Sequence, residues 1–274
     1  KFMNYSNKLL IDGNLIIGEG NPETIINPAN GQVIAEIPEA SLDQLNLAVA
    51  AADRAFENWG ETTPAYRSGL LHKLADAIEA RAEDFSRIES DNCGKPYALV
   101  LEDEIAGTVD CFRFYAGAIR TMTGPLAGEY IDNMTSMIRR DPVGVLASIA
   151  PWNYPLMMAA WKLAPALAAG NTVVLKPAEL TPLTTLLLAE LLVDIFPAGV
   201  VNIVCGRGDS IGQSLVEHDA VKMVSVTGDI STGQKILSTA SKTVKRTHLE
   251  LGGKAPVIVF DDADLDAAVE GAIA

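Results

Sequence analysis

The chain has 274 residues, 49% of them hydrophobic and 20% charged, the balance of a globular protein that fills its cores without metal or disulfide staples. Its 21 Lys and Arg against 35 Asp and Glu give a formal net charge of −14, which opposes attraction to a phosphate backbone and excludes nucleic acid as an expected partner. Three cysteines, Cys93, Cys111 and Cys205, make no C-x-x-C pair, which argues for a reducing compartment and against a zinc site.

At the start, Leu9-Leu10-Ile11 before Asp12 is too brief for the core of a signal peptide. Asp12-Gly13 supplies a turn between two short strands, near residues 8–10 and 14–17. Ser41 followed three residues later by Gln44 has capping-box spacing, so a helix should begin there and bury Leu45, Val49, Ala52 and Phe56. A second helix is expected from Pro64, with Leu70, Leu71, Leu74 and Ile78 inward. A third is expected from Tyr97, with Leu101, Ile105, Val109 and Phe112 inward. These make an all-helical N-terminal layer. Residues 129–140 read as a protruding hairpin outside the main sheet.

From Gly144 onward, short continuous apolar runs alternate with helical patterns. The runs are 145–149, 172–175, 200–204, 223–226 and 255–260. That rhythm predicts an α/β fold, a Rossmann-like parallel sheet with helices on both faces. The two most apolar stretches, 156–170 and 180–196, are broken by Lys162 and Pro165 and by Glu190 and Asp194, so no membrane span is expected. A cytoplasmic protein is the expectation.

Ligands of such sheets bind beyond the carboxyl ends of the strands. After Ile149 comes Ala150-Pro151-Trp152-Asn153-Tyr154-Pro155, a proline-fixed loop whose carboxamide could stabilise an oxyanion, or which could be a turn with a packing Trp. Lys176-Pro177-Ala178-Glu179 sets a cation beside an anion, and by itself could be an ordinary helix start. Thr227-Gly228-Asp229-Ile230-Ser231-Thr232-Gly233 leads into a helix whose free N–H groups suit a pyrophosphate, although the spacing is not G-x-G-x-x-G. His248-Leu249-Glu250-Leu251-Gly252-Gly253-Lys254 carries a carboxylate fit for a general base, with a solvated turn as the plainer alternative.

In this order and at these intervals, the four motifs resemble the NAD(P)-dependent aldehyde dehydrogenase superfamily, and within it the 4-aminobutyraldehyde and related aminoaldehyde dehydrogenases. The resemblance runs along essentially the whole chain. It implies that Asn153 is the side-chain half of the oxyanion hole and Glu250 the general base. Ile149, Ala150, Pro151 and Trp152 would line the nicotinamide. Lys176, Pro177, Ala178 and Glu179 would hold the adenosine ribose, the acidic Glu179 favouring NAD over a cofactor with a 2′-phosphate. Gly228, Asp229 and Thr232 would lie at the pyrophosphate, and Leu251 and Gly252 against the cofactor. The implied division is 1–124, the helical part of the cofactor-binding domain; 125–141, an oligomerisation hairpin; and 142–274, the NAD-binding domain. A small-molecule aldehyde and a homo-oligomer are the implied partners. Glu104, in the run Glu102-Asp103-Glu104, is the candidate for meeting the amine of an aminoaldehyde, against the plainer reading of a solvated helix face.

Two departures stand out. The family's nucleophilic cysteine lies beyond the base glutamate, where the present sequence stops at Ala274, so an aldehyde dehydrogenase fold lacking most of its catalytic domain is expected. Cys93, Cys111 and Cys205 read as core thiols. Asp229 stands where the family usually has serine. It is a good helix N-cap and also a like charge beside a pyrophosphate, so weakened NAD binding is expected. The alternative function is a truncated, non-catalytic nucleotide-binding or subunit-pairing module. A short-chain reductase is discarded because no tyrosine has a lysine four positions on.

Overall fold

The computed structural model describes residues 5–122, 124 and 127–273. Strands β1 (Lys8–Ile11) and β2 (Asn14–Ile17) turn about Asp12 and Gly13, both at positive φ. A second hairpin follows, β3 (Pro22–Ile26) with β4 (Val33–Pro38). Helix α1 (Leu42–Trp59) starts on a complete capping box: Gln44 N–H donates to Ser41 Oγ at 3.1 Å, and the Ser41 N–H donates to Gln44 Oε1 at 3.0 Å. Such a cap stabilises a helix by about 1 kcal/mol. Helices α2 (Pro64–Ala80) and α3 (Ala82–Cys93) come next. The short α4 (Tyr97–Leu99) widens into a π-helical turn (Val100–Ile105) that continues as α5 (Ala106–Thr121).

The two strands expected near residues 8–10 and 14–17 are present as β1 and β2, and with the unforeseen β3–β4 pair they make the N-terminal part more than the all-helical layer that its apolar spacing suggested. β1 joins the main sheet and carries β2 with it, and the β3–β4 pair is a separate hairpin. α3 escaped the sequence reading because its core face is mixed, Phe85 and Ile88 being buried beside Ser86, Glu89 and Asn92. The π-helical turn shifts the phase ahead of α5, so Val100, Glu104 and Ile105 turn inward while Leu101 is only partly covered. Beyond it, β5 (Gly128–Ile131) and β6 (Met134–Ser136) form the expected separate hairpin. The expected boundary at 124/125 lies partly outside the described residues.

The second half alternates as the sequence predicts, through β7 (Val145–Ile149), α6 (Pro155–Ala168), β8 (Thr172–Lys176), α7 (Leu183–Ile195) and β9 (Val201–Ile203). It continues through α8 (Gln213–Glu217), β10 (Val221–Gly228), α9 (Ile230–Ser241), β11 (Arg246–Leu251) and α10 (Leu265–Ile273). The sheet order is β11-β10-β7-β8-β9-β1-β2, parallel from β11 through β9 and closed at the far edge by the antiparallel β1 and β2. α6 and α7 cover one face, themselves backed by α2, α3 and α5; α1, α8 and α9 cover the other. Central strands are apolar on both sides because both sides are covered.

One strand assignment is corrected. Residues 255–260 are not a strand; the strand is β11, and Val257, Ile258, Val259 and Phe260 lie exposed. An apolar run becomes a strand only where a neighbour offers its hydrogen-bonding edge, and β10 offers that edge to Arg246–Leu251.

Candidate functional site

The chain runs β7, β8, β9 in one direction across the sheet, then returns to place β10 and β11 on the other side of β7. The order therefore reverses between β7 and β10, which opens a crevice at their carboxyl ends, the place where open α/β sheets bind ligands. Ile149 pairs with both Val226 and Lys176, so the segments following β7, β8 and β10 emerge side by side. The cofactor residues expected from the sequence lie on those segments or at the end of β11.

The loop after β7 opens on buried Ala150, whose N–H donates to Lys176 O at 3.0 Å. Pro151 is half-buried; Trp152, Asn153 and Tyr154 are exposed. The loop is held from beneath by α3 and the start of α7. Trp152 O accepts from Thr181 Oγ1 at 3.1 Å and from the Cys93 thiol at 3.7 Å. Buried Glu89 accepts from Leu156 N–H in the first turn of α6 (3.4 Å) and from Thr184 Oγ1 (2.5 Å). Lys95 Nζ sits 4.0 Å from Glu89, 2.7 Å from Glu104 and 3.9 Å from the Tyr154 ring centroid. Burial raises the Glu89 carboxyl to about 7.

Glu104 is accordingly not the open amine site expected from the sequence. It is buried by the π-helical turn and its charge is met by Lys95, while Glu102 and Asp103 face solvent.

Lys176 is buried, and its ammonium donates to Gly206 O (2.7 Å), Pro177 O (2.9 Å) and Glu179 Oε2 (3.4 Å). It fastens the loops after β8 and β9 together and leaves half-exposed Glu179 and Ala178 as the accessible members of that segment. Gly228 ends β10, and Asp229 caps α9, its Oδ1 accepting from the Ser231 N–H at 2.8 Å and Ser231 Oγ at 2.5 Å. Those bonds lower the Asp229 carboxyl below its ordinary range, so it stays ionised at the end of α9 where an anion would dock. Thr232 is exposed one turn along, Leu251 is half-buried and Gly252 is exposed.

Glu250 and His248 project from the same face of β11, toward α6. They line an open cavity of about 700 Å³ with Ser148, Lys162, Ser225 and Thr227, its apolar wall including Tyr115, Met158 and Trp161. Lys162 is buried and donates to Ser225 Oγ and Thr227 Oγ1, both at 3.1 Å. Burial lowers its ammonium to about 8, against the nearby charge of Glu250, which raises it. Sequence reasoning gave Lys162 no role in the site, although a lysine inside one of the two most apolar stretches was the visible signal.

None of the three thiols is activated. Burial pushes Cys93 far upward, Cys111 to about 11 and Cys205 to about 12. Among the described residues, no helix is long and apolar enough to cross a membrane, and no group of three or more His, Cys, Asp or Glu could hold a metal ion.

The profile described as "Aldehyde dehydrogenase family" matches residues 17–274. The chain is 41% identical over 276 residues to the mitochondrial aldehyde dehydrogenase of Leishmania tarentolae, covering 98% of this chain and 55% of that one. It is 41% identical over 265 residues to betaine aldehyde dehydrogenase 2 of Rhizobium meliloti (strain 1021), covering 96% and 54%. Its fold superposes with a TM-score of 0.95 on the NAD+ complex of aldehyde dehydrogenase from Bacillus cereus, at 41% identity, covering 99% and 56%. The chain thus spans about half the length of the relatives it matches.

Proposed function

As the chain belongs to the aldehyde dehydrogenase family, we propose that it is the cofactor-binding part of an NAD-dependent enzyme oxidising a small aliphatic aldehyde to its acid. 4-Aminobutyraldehyde or a related aminoaldehyde is the proposed substrate. The observation that carries the reading is the crevice at the β7/β10 reversal, where the loop bearing Asn153 and the segment leading to the capped N-terminus of α9 leave adjacent strands. Relatives solved with NAD+ share this fold at a TM-score of 0.95.

The residues around the crevice fit NAD. Half-exposed Glu179 would take the ribose hydroxyls, with Lys176 holding the segment from below. Gly228 and the first turn of α9, with Asp229 and Thr232, would face the pyrophosphate, and Leu251 and Gly252 would close the β11 side. Ile149, Ala150, Pro151 and Trp152 would line the nicotinamide. NAD, when bound, supplies the hydride acceptor.

In this reading the Asn153 carboxamide donates to the oxygen that gains charge when the aldehyde carbon is attacked. The Glu250 carboxylate takes the proton from the attacking thiol, or later from the deacylating water. The nucleophile is not among Cys93, Cys111 and Cys205, whose thiols burial keeps protonated. Glu104 is left out because Lys95 already neutralises it. The 125–141 hairpin would pair copies of the chain, between a cofactor-binding part at 1–124 and the NAD-binding domain at 142–274. The three unpaired thiols support a cytoplasmic setting.

The thiols also favour a second reading, a nucleotide-binding or subunit-pairing module without catalysis of its own. Calorimetric titration with NAD tests what the first reading shares with the nucleotide-binding form of the second, with saturable binding expected; no binding up to about 1 mM would overturn both and leave only subunit pairing. NADH formation from 4-aminobutyraldehyde, measured on an enzyme that joins this chain to a part bearing the nucleophile, then separates them, since the second reading expects none.

A further inference from the structure

Helices α6 and α7 begin without side-chain caps of their own, and α3 serves their first turns from across the fold. Asn92 Oδ1 accepts from the Leu183 N–H at 3.2 Å, while buried Glu89 accepts from the Leu156 N–H and from Thr184 Oγ1. Leu156 stands three residues beyond Asn153, with Tyr154, the residue that leads into α6, between them. The charged groups that face Glu89 are Lys95, from the segment after α3, and Glu104, from the π-helical turn; α6 and α7 present an amide and a hydroxyl, and the Cys93 thiol of α3 itself stays protonated. Glu89 Oε2 has a short partner in Thr184 Oγ1, at 2.5 Å, but Oε1 has none: it lies 3.4 Å from Leu156 N and 4.0 Å from Lys95 Nζ, whereas charge-assisted N–H···O bonds run to about 2.7–2.9 Å. Lys95 makes its close contact with Glu104, at 2.7 Å, and lies over the Tyr154 ring.

We propose that Glu89 is a positioning residue for the Asn153 loop, whose ionisation draws Lys95 off the Tyr154 ring and the start of α6 toward α3, so that the loop has two settings. The proposal rests on the reading of that loop as the oxyanion and nicotinamide side of the site. With Glu89 protonated, Lys95 stays with Glu104 beneath Tyr154. With Glu89 ionised, Oε1 takes a share of the ammonium and shortens its bond from the Leu156 N–H, because a negative charge is favoured both by the cation and by the N-terminus of a helix. Burial holds the Glu89 proton up to about 7, so the two settings exchange in the neutral range.

The chain has three tryptophans, one of them Trp152 in this loop, so ¹⁹F NMR of protein labelled with 5-fluorotryptophan reads the setting on the chain itself. The Trp152 line, assigned by its loss in Trp152→Phe, should titrate with a midpoint near 7 and stay fixed across the same range in Glu89→Gln. That variant leaves the three histidines in place, so a titration that survives in it belongs to another group. Lys95→Met strips Glu89 of its cation and should raise the midpoint by about one pH unit or more, and Lys95→Arg should bring it back. A Trp152 line that does not titrate in the native chain, that titrates equally in Glu89→Gln, or whose midpoint Lys95→Met leaves unmoved would overturn the proposal. A chain whose Trp152 titrates as expected yet binds no NAD would overturn the functional reading and leave the two settings standing; NAD binding beside a fixed Trp152 line would do the reverse.

Discussion

Lys95 Nζ lies 3.9 Å from the ring centroid of Tyr154, so a cation from the segment after α3 grips the residue that follows Asn153. The same ammonium pairs with Glu104 at 2.7 Å and lies 4.0 Å from Glu89, which itself ties α3 to the first turns of α6 and α7. A loop otherwise exposed from Trp152 to Tyr154 is thereby fixed from its buried side. Buried polar networks of this kind hold geometry when every member is paired.

That network gives stability a pH dependence with a definite sign. The folded chain holds the Glu89 proton up to about 7, against an ordinary value of 4.5, so between these values it binds more protons than the unfolded chain. Stability should therefore fall as pH rises from about 4.5 to about 7, by on the order of 3 kcal/mol, and be flat above. Glu89→Gln should abolish this component. Urea denaturation at pH values across the window measures it, and an unchanged slope in the variant would refute the assignment.

Lys162 contributes the opposite slope at higher pH. Its ammonium is lowered from 10.5 to about 8, so between those values the unfolded chain binds more protons and stability rises with pH. Lys162→Met should flatten this rise and leave the Ser225 and Thr227 hydroxyls without their donor. Denaturation midpoints of wild type and variant across the window decide it, parallel curves counting against the claim.

Asp229 should weaken NAD binding. Its carboxylate already takes the Ser231 N–H at the end of α9 and carries a charge of the same sign as a pyrophosphate. Asp229→Ser should tighten NAD by about tenfold at low ionic strength, and by less as salt screens the charge. Equal dissociation constants for the two proteins, measured by calorimetry, would remove Asp229 from the account.

Lys176 should matter more for folding than its place beside the ribose segment suggests. Lys176→Met strands the carbonyls of Gly206 and Pro177, which should destabilise the chain by about 2–4 kcal/mol and loosen the loops after β8 and β9 together. Thermal denaturation gives the first quantity. Amide exchange at Ala178 and Arg207 gives the second, and protected amides in the variant would contradict it.

The parallel strands were legible because both their faces are buried, so an uninterrupted apolar run has one economical explanation. The Ser41 cap and the Asp12-Gly13 turn were legible because their physics is local, settled within four residues. Residues 255–260 have the same composition as a central strand but form none, since composition does not report whether an edge is available. Glu104 was misread because a π-helical turn rotated it inward, a change of phase that helical periodicity cannot register.

The sequence by itself determined the class of fold, the alternation of strand and helix, and the segments that meet where the sheet reverses. Each of these follows from patterns a few residues long. Only the tertiary structure decided which charges face one another: Lys95 on Glu104 and Tyr154, Lys176 on two carbonyls, Lys162 between the partners of His248 and Glu250. Apart from Lys176 on the carbonyl of its neighbour Pro177, those pairings join residues from nine to over sixty positions apart, and a buried charge finds its partner through packing, not through spacing along the chain.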